Sequence, residues 1–419
     1  MSLARRLAPV AALLVGAFTS STLFSQQPAN WPQFLGPSRT GISAETGLLD
    51  QLPERGPKEL WRVAGGVGMS GLAIDDGRLL TLVQKDGQQW LLALDPASGK
   101  TLWQTPLASE YTNQMGDGPR ATPAIARDQA FVFTGEGILA AVGLAAGKLQ
   151  WSQNVVTELK GKPADYGMAS SPLVVGENVI VIAGAPRATL AAYNIKSGKL
   201  AWTAGEDPAG YSSPALLTVG GTPQIVAYAG SSAIGVEPQS GSLLWRYPYE
   251  TDFNCNIATP LAVAGQVFLS SGENHGCVLL GLTKSGDKFT ASEIWKSQGS
   301  QSVLRNEWQT SILLDGHLYG FDNVGSAGPV THLTCVSAAT GKRVWQKLRF
   351  GKGNLIAADG KLWISTMNGE LVLVRATPKE FEELGRAKVI GSTRQAPSLA
   401  GGRLYLRDDA EIVCLDVRK

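Results

Sequence analysis

An all-β fold, an eight-bladed β-propeller of four-stranded antiparallel blades, is predicted by three features of this chain. One strand–turn–strand pattern recurs along most of the sequence. Each unit occupies roughly 40–50 residues, the spacing of a propeller blade. The two ends carry complementary fragments of one unit, so the last blade is expected to be closed by an N-terminal strand.

The pattern is clearest over residues 91–107, LLALDPASGKTLWQTPL. Leu91, Leu92, Ala93 and Leu94 make an apolar run of buried-strand length. Asp95-Pro96-Ala97-Ser98-Gly99 then turns the chain: Pro96 pre-sets φ, the Asp95 carboxylate accepts from backbone N–H groups ahead, and Gly99 takes positive φ. The return strand carries Trp103, a flat apolar surface suited to the gap between stacked sheets. Further copies lie at 139–156, 190–206, 233–250, 280–297 and 333–350. A copy at 371–390 is degraded, with Val389 where Trp is expected. The last copy, 411–419, stops after one strand, while 58–64 (KELWRVA) is a Trp-bearing strand with no partner before it. Between the copies sit pairs such as 170–184 (SSPLVVGENVIVIAG), a short small-residue strand followed by an alternating β-branched one. Trp61, Trp103, Trp151, Trp202, Trp245, Trp295 and Trp345 recur in the same strand of their units, which assigns them to packing between blades.

Composition sets the compartment and the class. A chain of 419 residues with 44% hydrophobic content can bury a large core, and its 49 glycines suit many tight turns. The net charge of +2 is interspersed along the sequence, so no footprint for nucleic acid is present. Residues 1–25 read as a signal peptide: Arg5-Arg6 form the basic region, 7–18 the apolar core, and cleavage is expected after Ser25. An uncleaved anchor would need a longer apolar run, and no Cys stands near the cleavage region for lipidation. The protein is therefore expected to be periplasmic or secreted, a monomer without a membrane anchor. Residues 26–57 form an irregular leader expected on the outside of the ring, and 58–419 the propeller. Cys335 and Cys414 fall within strands and read as unpaired core residues. Cys255 and Cys277 flank the first two strands of the fifth blade at one end, where a disulfide is expected.

The xLDxxTGKxxW pattern, as in ALDPASGKTLW and VSAATGKRVW, resembles the repeat of the pyrroloquinoline-quinone (PQQ)-like propellers over about residues 58–419. The leader Trp31-Pro32-Gln33-Phe34-Leu35-Gly36-Pro37 is similar to that of a bacterial subgroup of secreted PQQ-like repeat proteins. The resemblance implies a propeller and leaves function open, because the superfamily holds both quinoprotein dehydrogenases and a non-catalytic outer-membrane assembly lipoprotein. In the dehydrogenases a Trp and, in the alcohol-oxidising branch, a vicinal disulfide sandwich the quinone. A Ca²⁺ held by Glu and Asn lies beside it, with an Asp as base. This chain has no adjacent Cys pair and no CxxCH for a c-type haem. Arg305, Asn306, Glu307, Trp308, Asp322 and Asn323 have the chemical types for quinone and Ca²⁺ contacts without matching a family motif.

In a propeller, the loops leading into each first strand and those joining second to third strands reach one channel mouth. Here they carry Tyr, Asn, Arg, His and Trp, against DPASGK-like turns at the other end. Arg120, Tyr166, Tyr211, Asn256, His275, Asn306, Trp308 and Arg394 are the candidate ligand contacts, Trp308 by stacking and Arg394 by charge-assisted hydrogen bonds. His275, His317 and His332 lack metal-ligand spacing, and no nucleophile or phosphate-loop motif is present. The expectation is an exported, non-catalytic propeller that binds a protein or small molecule without catalytic residue, metal or cofactor. The alternative is a PQQ- and Ca²⁺-dependent dehydrogenase acting on an alcohol or sugar.

Overall fold

The computed structural model describes residues 30–325 and 330–419; the expected signal peptide lies outside them. Eight four-stranded antiparallel sheets form the blades of a ring. Blades 1 to 7 start at Ala73, Ala124, Leu173, Ala215, Leu261, Ile312 and Gly353. The eighth combines Ser398–Ala400, Arg403–Arg407 and Glu411–Asp416 with Lys58–Ala64, which pairs antiparallel to Glu411–Asp416 and closes the ring. First strands of adjacent blades meet around the axis, as Ala73–Asp75 does with Ala124–Ala126 and Ser398–Ala400.

Hydroxyls at the start of the first strands link blade to blade. Gly71 N–H donates to Thr122 Oγ1 (3.1 Å), Thr122 N–H to Ser171 Oγ (3.0 Å), and Ser171 N–H to Ser213 Oγ (2.9 Å). The Ser-Ser-Pro and Ala-Thr-Pro stretches are thus a hydrogen-bonded inner hoop as well as strand starts. Arg407, buried at the eighth blade, donates to Leu82 O (2.7 Å) and Thr81 Oγ1 (2.8 Å) of the first and so ties the closing pair.

At the periphery, each repeating Trp stands one register step from a β-bulge, Trp103 opposite Ala93 and Trp345 opposite Cys335. Its ring crosses to the next blade. Trp61 Nε1–H donates to Pro96 O (3.0 Å), Trp103 to Leu144 O (3.1 Å) and Trp295 to Ala338 O (2.9 Å), so each indole caps the neighbour's turn. Gly99 is required there: at φ +71°, a Cβ would lie 2.8 Å from the Trp61 ring. Two differ: Trp245 donates within its own blade to Gln224 Oε1 (2.7 Å), and the buried Trp202 Nε1–H has no partner among the described residues.

Two expectations need correction. In the seventh blade the Trp position belongs to Gly385, which faces Leu373 beside the bulge; Val389 lies beyond the strand. The vacated space is filled by Leu52, whose backbone N–H donates to Leu384 O (2.9 Å); a Cβ on Gly385 would meet Leu52 O at 2.9 Å.

The leader, moreover, does not lie only outside the ring. Residues 31–43 run inside it. Trp31 bridges Ile74 antiparallel, Ile125 N–H donates to Pro32 O (2.8 Å), and Ile42 bridges Ala357 in parallel, so the segment touches the first strands of blades 1, 2 and 7. Buried Arg39 donates to Ser171 O (3.2 Å), Pro172 O and Pro214 O (2.8 Å), at the entrances of blades 3 and 4. Contacts with so many blades place it on the axis. Since all first strands run the same way, the opposite senses of the two bridges make residues 31–43 a hairpin that rises to the mouth and returns. Asn30, bonded to Asp75 (3.1 Å), and Glu45, accepting from Gly401 and Gly402 (3.0 and 2.6 Å), mark its ends at the turn face. Residues further on pass beneath blades 7 and 8, with Leu49 N–H donating to Val417 O (2.8 Å).

Candidate functional site

The mouth opposite the turn face holds a cavity of about 550 Å³. Every loop leading into a first strand contributes to it: Met69, Arg120, Tyr166 and Tyr211 from blades 1 to 4, then Cys255, Trp308, Lys352 and Arg394 from blades 5 to 8. Trp31, Phe34 and Leu35 of the hairpin line it from within the channel. Along the chain these residues spread from position 31 to 394.

Five of the sequence candidates, Arg120, Tyr166, Tyr211, Trp308 and Arg394, meet here. Three do not. Asn256 is wholly buried and donates to Ala229 O (2.7 Å) and Tyr249 O (3.1 Å), bracing the loop from inside. Asn306 is buried likewise, donating to Phe321 O (3.0 Å) and accepting from Ser311 Oγ (2.8 Å). His275 stands beside the cavity, where its Nε2 accepts from the Asp252 backbone N–H (3.3 Å). Polar residue type alone could not separate brace from contact. Nor do Cys255 and Cys277 form a disulfide; both are free thiols. Cys277 packs in the core with Phe268 and Leu279, whereas Cys255 lines the cavity. Burial pushes the Cys255 thiol up to about 11 and the Cys277 thiol to about 12.

Two clusters shape the walls. On one side the Tyr166 and Tyr211 rings stack at 5.6 Å, with Phe253 6.5 Å from Tyr166. Opposite, Trp308 carries two cations over its ring, Lys352 Nζ at 4.3 Å and the Arg394 guanidinium at 4.9 Å. Lys352 also pairs with Glu307 at 2.8 Å. Burial raises the Glu307 carboxyl above the ordinary range, and the bond from Lys352 offsets this only in part. Trp308 is therefore a platform that fixes two cations by cation–π attraction.

Of the residues with quinone- and calcium-binding chemistry, Glu307 and Trp308 line the cavity, whereas Arg305, Asn306, Asp322 and Asn323 are engaged within the protein. Asp322 is buried with both oxygens on Arg305, at 2.6 and 2.9 Å, and Asn323 donates to Arg305 O (2.9 Å). A calcium ion needs six or more oxygens. Among the described residues no three His, Cys, Asp or Glu side chains stand together to supply them. Asp322, Asn323 and Asn306 turn into the protein, which leaves Glu273 and Glu307 as the carboxylates that line the cavity.

A family model described as outer membrane protein assembly factor BamB, of the PQQ_2 repeat class, matches residues 46–152 and 87–347, well over half of the chain. The chain belongs to this family. Among curated relatives, quinohemoprotein alcohol dehydrogenase ADH IIB of Pseudomonas putida is 33% identical over 137 residues, covering 30% of this chain and 19% of that protein. Assembly factor BamB of Shewanella oneidensis is 26% identical over 209 residues, covering 49% of each. The matches thus span half or less of either curated relative. The crystal structure of quinohemoprotein alcohol dehydrogenase from Comamonas testosteroni superposes with a TM-score of 0.67 at 13% identity, over 93% of this chain and 81% of that one, and shares the fold. The propeller fold is therefore shared with a quinohemoprotein alcohol dehydrogenase.

Proposed function

We propose that this protein is an exported, non-catalytic PQQ-like propeller that binds a ligand in the mouth cavity. The observation that carries the proposal is that all eight loops leading into first strands converge on one cavity of about 550 Å³, a volume within the range of small-molecule sites. Rigid strands hold those loops, and the axial hairpin supplies a floor, so the site is pre-formed. Pre-organisation lowers the entropy cost of binding. The engagement of Asp322 by Arg305 and of Glu307 by Lys352 favours binding over quinone chemistry, because both carboxylates are already paired with cations.

The second reading, a PQQ-dependent dehydrogenase, draws on the 33% identical stretch shared with an alcohol dehydrogenase. One assay separates the two. The full chain is incubated with PQQ and Ca²⁺ and tested for dye-linked oxidation of alcohols and sugars. No turnover above protein-free controls is expected; turnover that saturates with PQQ would overturn the proposal. Export is tested on the same expressed protein. N-terminal sequencing of the periplasmic or secreted form is expected to begin at Gln26, and an intact Met1 terminus would contradict it.

A further inference from the structure

We infer that the mouth cavity takes an organic anion, a carboxylate on an apolar or aromatic body, with Arg394 and Arg120 holding the acid and the hairpin tip seating the body. The inference rests on the binding role proposed above and names its ligand class.

Two guanidinium groups converge on one loop. Arg394 Nη1–H donates to Met115 O (2.7 Å), and Arg120 donates to Gly116 O (2.7 Å) and Gly118 O. Among the described residues their bonds go to backbone carbonyls and, for Arg394, the Met69 sulfur; neither side chain is bonded to a carboxylate. Each guanidinium has five N–H donors, so both keep donors beyond those used. Lys352 differs, since Glu307 already balances its charge. Among the charged residues lining the cavity, Arg120, Lys352 and Arg394 stand against Glu273 and Glu307, an excess of one positive charge. Burial disfavours the Arg120 charge; Tyr111, whose ring lies 4.8 Å from the guanidinium, and Asp117 offset this in part, while Arg394 adds to the cost. An anion between them relieves both effects, and a planar carboxylate matches the guanidinium fork.

The remainder of the cavity is apolar. Phe34 and Leu35 form the floor, Met69 and Leu72 adjoin it, and Tyr166 and Phe253 stand across from the cations. A small inorganic anion would leave these surfaces unused; a body of one or two rings would cover them. The hairpin also bounds the depth. Because residues 31–43 occupy the axis, a ligand entering at the mouth stops at Phe34 and cannot thread the ring.

The test is calorimetric titration of the full chain with 2-naphthoate and its neutral counterpart 2-naphthamide. The acid is expected to bind about tenfold or more tightly than the amide, the difference a charge-assisted bond makes. Arg394→Gln should weaken 2-naphthoate about tenfold and leave 2-naphthamide unchanged, Arg394→Lys should restore part of the loss, and Phe34→Ala should weaken both. Equal affinity for acid and amide, or an Arg394→Gln variant that weakens both alike, would overturn the anion assignment and leave the binding role standing. Failure of both probes to bind would overturn the inference and count against the cavity as a ligand site.

Discussion

Asp322 has the side chain expected of a calcium ligand, yet its environment makes it structural. It is buried against Arg305, with Arg343 at 3.4 Å and Gln346 at 3.2 Å completing its shell. Removing one member of such a pair strands the other charge without water. Asp322→Ala should therefore destabilise the protein by about 3–5 kcal/mol, read as a lower urea midpoint. A change below about 1 kcal/mol would show that Arg305 finds another partner. Asp207 gives the pH counterpart. Burial alone would raise its pKa, but bonds from Arg246, Ser232 and Ser231 outweigh burial and hold it below the usual aspartate range. A depressed folded pKa adds stability above the unfolded value of about 3.9, and that stability is lost as pH falls through the folded value. Asp207→Asn should thus lower stability at neutral pH and flatten its fall below about pH 4; an acid limb as steep as wild type would refute this.

At the scale of elements, the axial hairpin is the feature that most changes the molecule. Its motif has a physical basis. Trp31 is buried between the first blade and the hairpin, and Gly36 at φ +78° lets the chain fold over the indole, a Cβ there lying 2.9 Å from the ring. Arg39 is a buried cation satisfied by three backbone carbonyls, and burial brings its pKa down to about 9. It latches the hairpin to blades 3 and 4. Arg39→Ala should cost about 2–3 kcal/mol, since carbonyls bonded to a charge lose their partner. It should also expose residues 31–43 to limited proteolysis while the blades stay protected. Unchanged cleavage would mean that Trp31 and Ile42 hold the hairpin without the latch. The Leu52–Gly385 contact works in the same manner on the outside, the leader taking the place that Trp holds in other blades.

For the whole molecule, ring closure is the long-range commitment. Arg62 and Glu411, 349 positions apart, form an ion pair at 2.6 Å on the closing strands. Contacts so distant in sequence are slow to form, so closure is expected to come late in folding. Deleting residues 1–25 should leave the ring intact. Deleting 1–64 would remove the hairpin and bare the edge of Glu411–Asp416, an unpaired strand that invites association between chains. Size-exclusion chromatography with light scattering is expected to show a monomer for the first and higher oligomers for the second. A monomeric, equally stable second form would contradict closure by the N-terminal strand.

The sequence by itself determined the ring. Turn chemistry at Asp95–Gly99 and the recurring Trp are local signals, repeated often enough that blade number, strand count and closing strand follow from spacing alone. The mouth was legible for the same reason, because strand direction sets which loops share an end; Trp308 and Arg394 do meet there. What only the tertiary structure decided was where side chains point and what fills the axis. Asn256, Asn306 and Asp322 are polar loop or strand residues whose partners are backbone groups or an arginine of the same region, and composition does not tell an inward amide from an outward one. Cys255 and Cys277 share one end of a blade, yet the first lines the cavity and the second is buried in the core. The hairpin lacked any repeat to place it, since its stability comes from bonds to five different stretches of ring that exist only once the ring has closed.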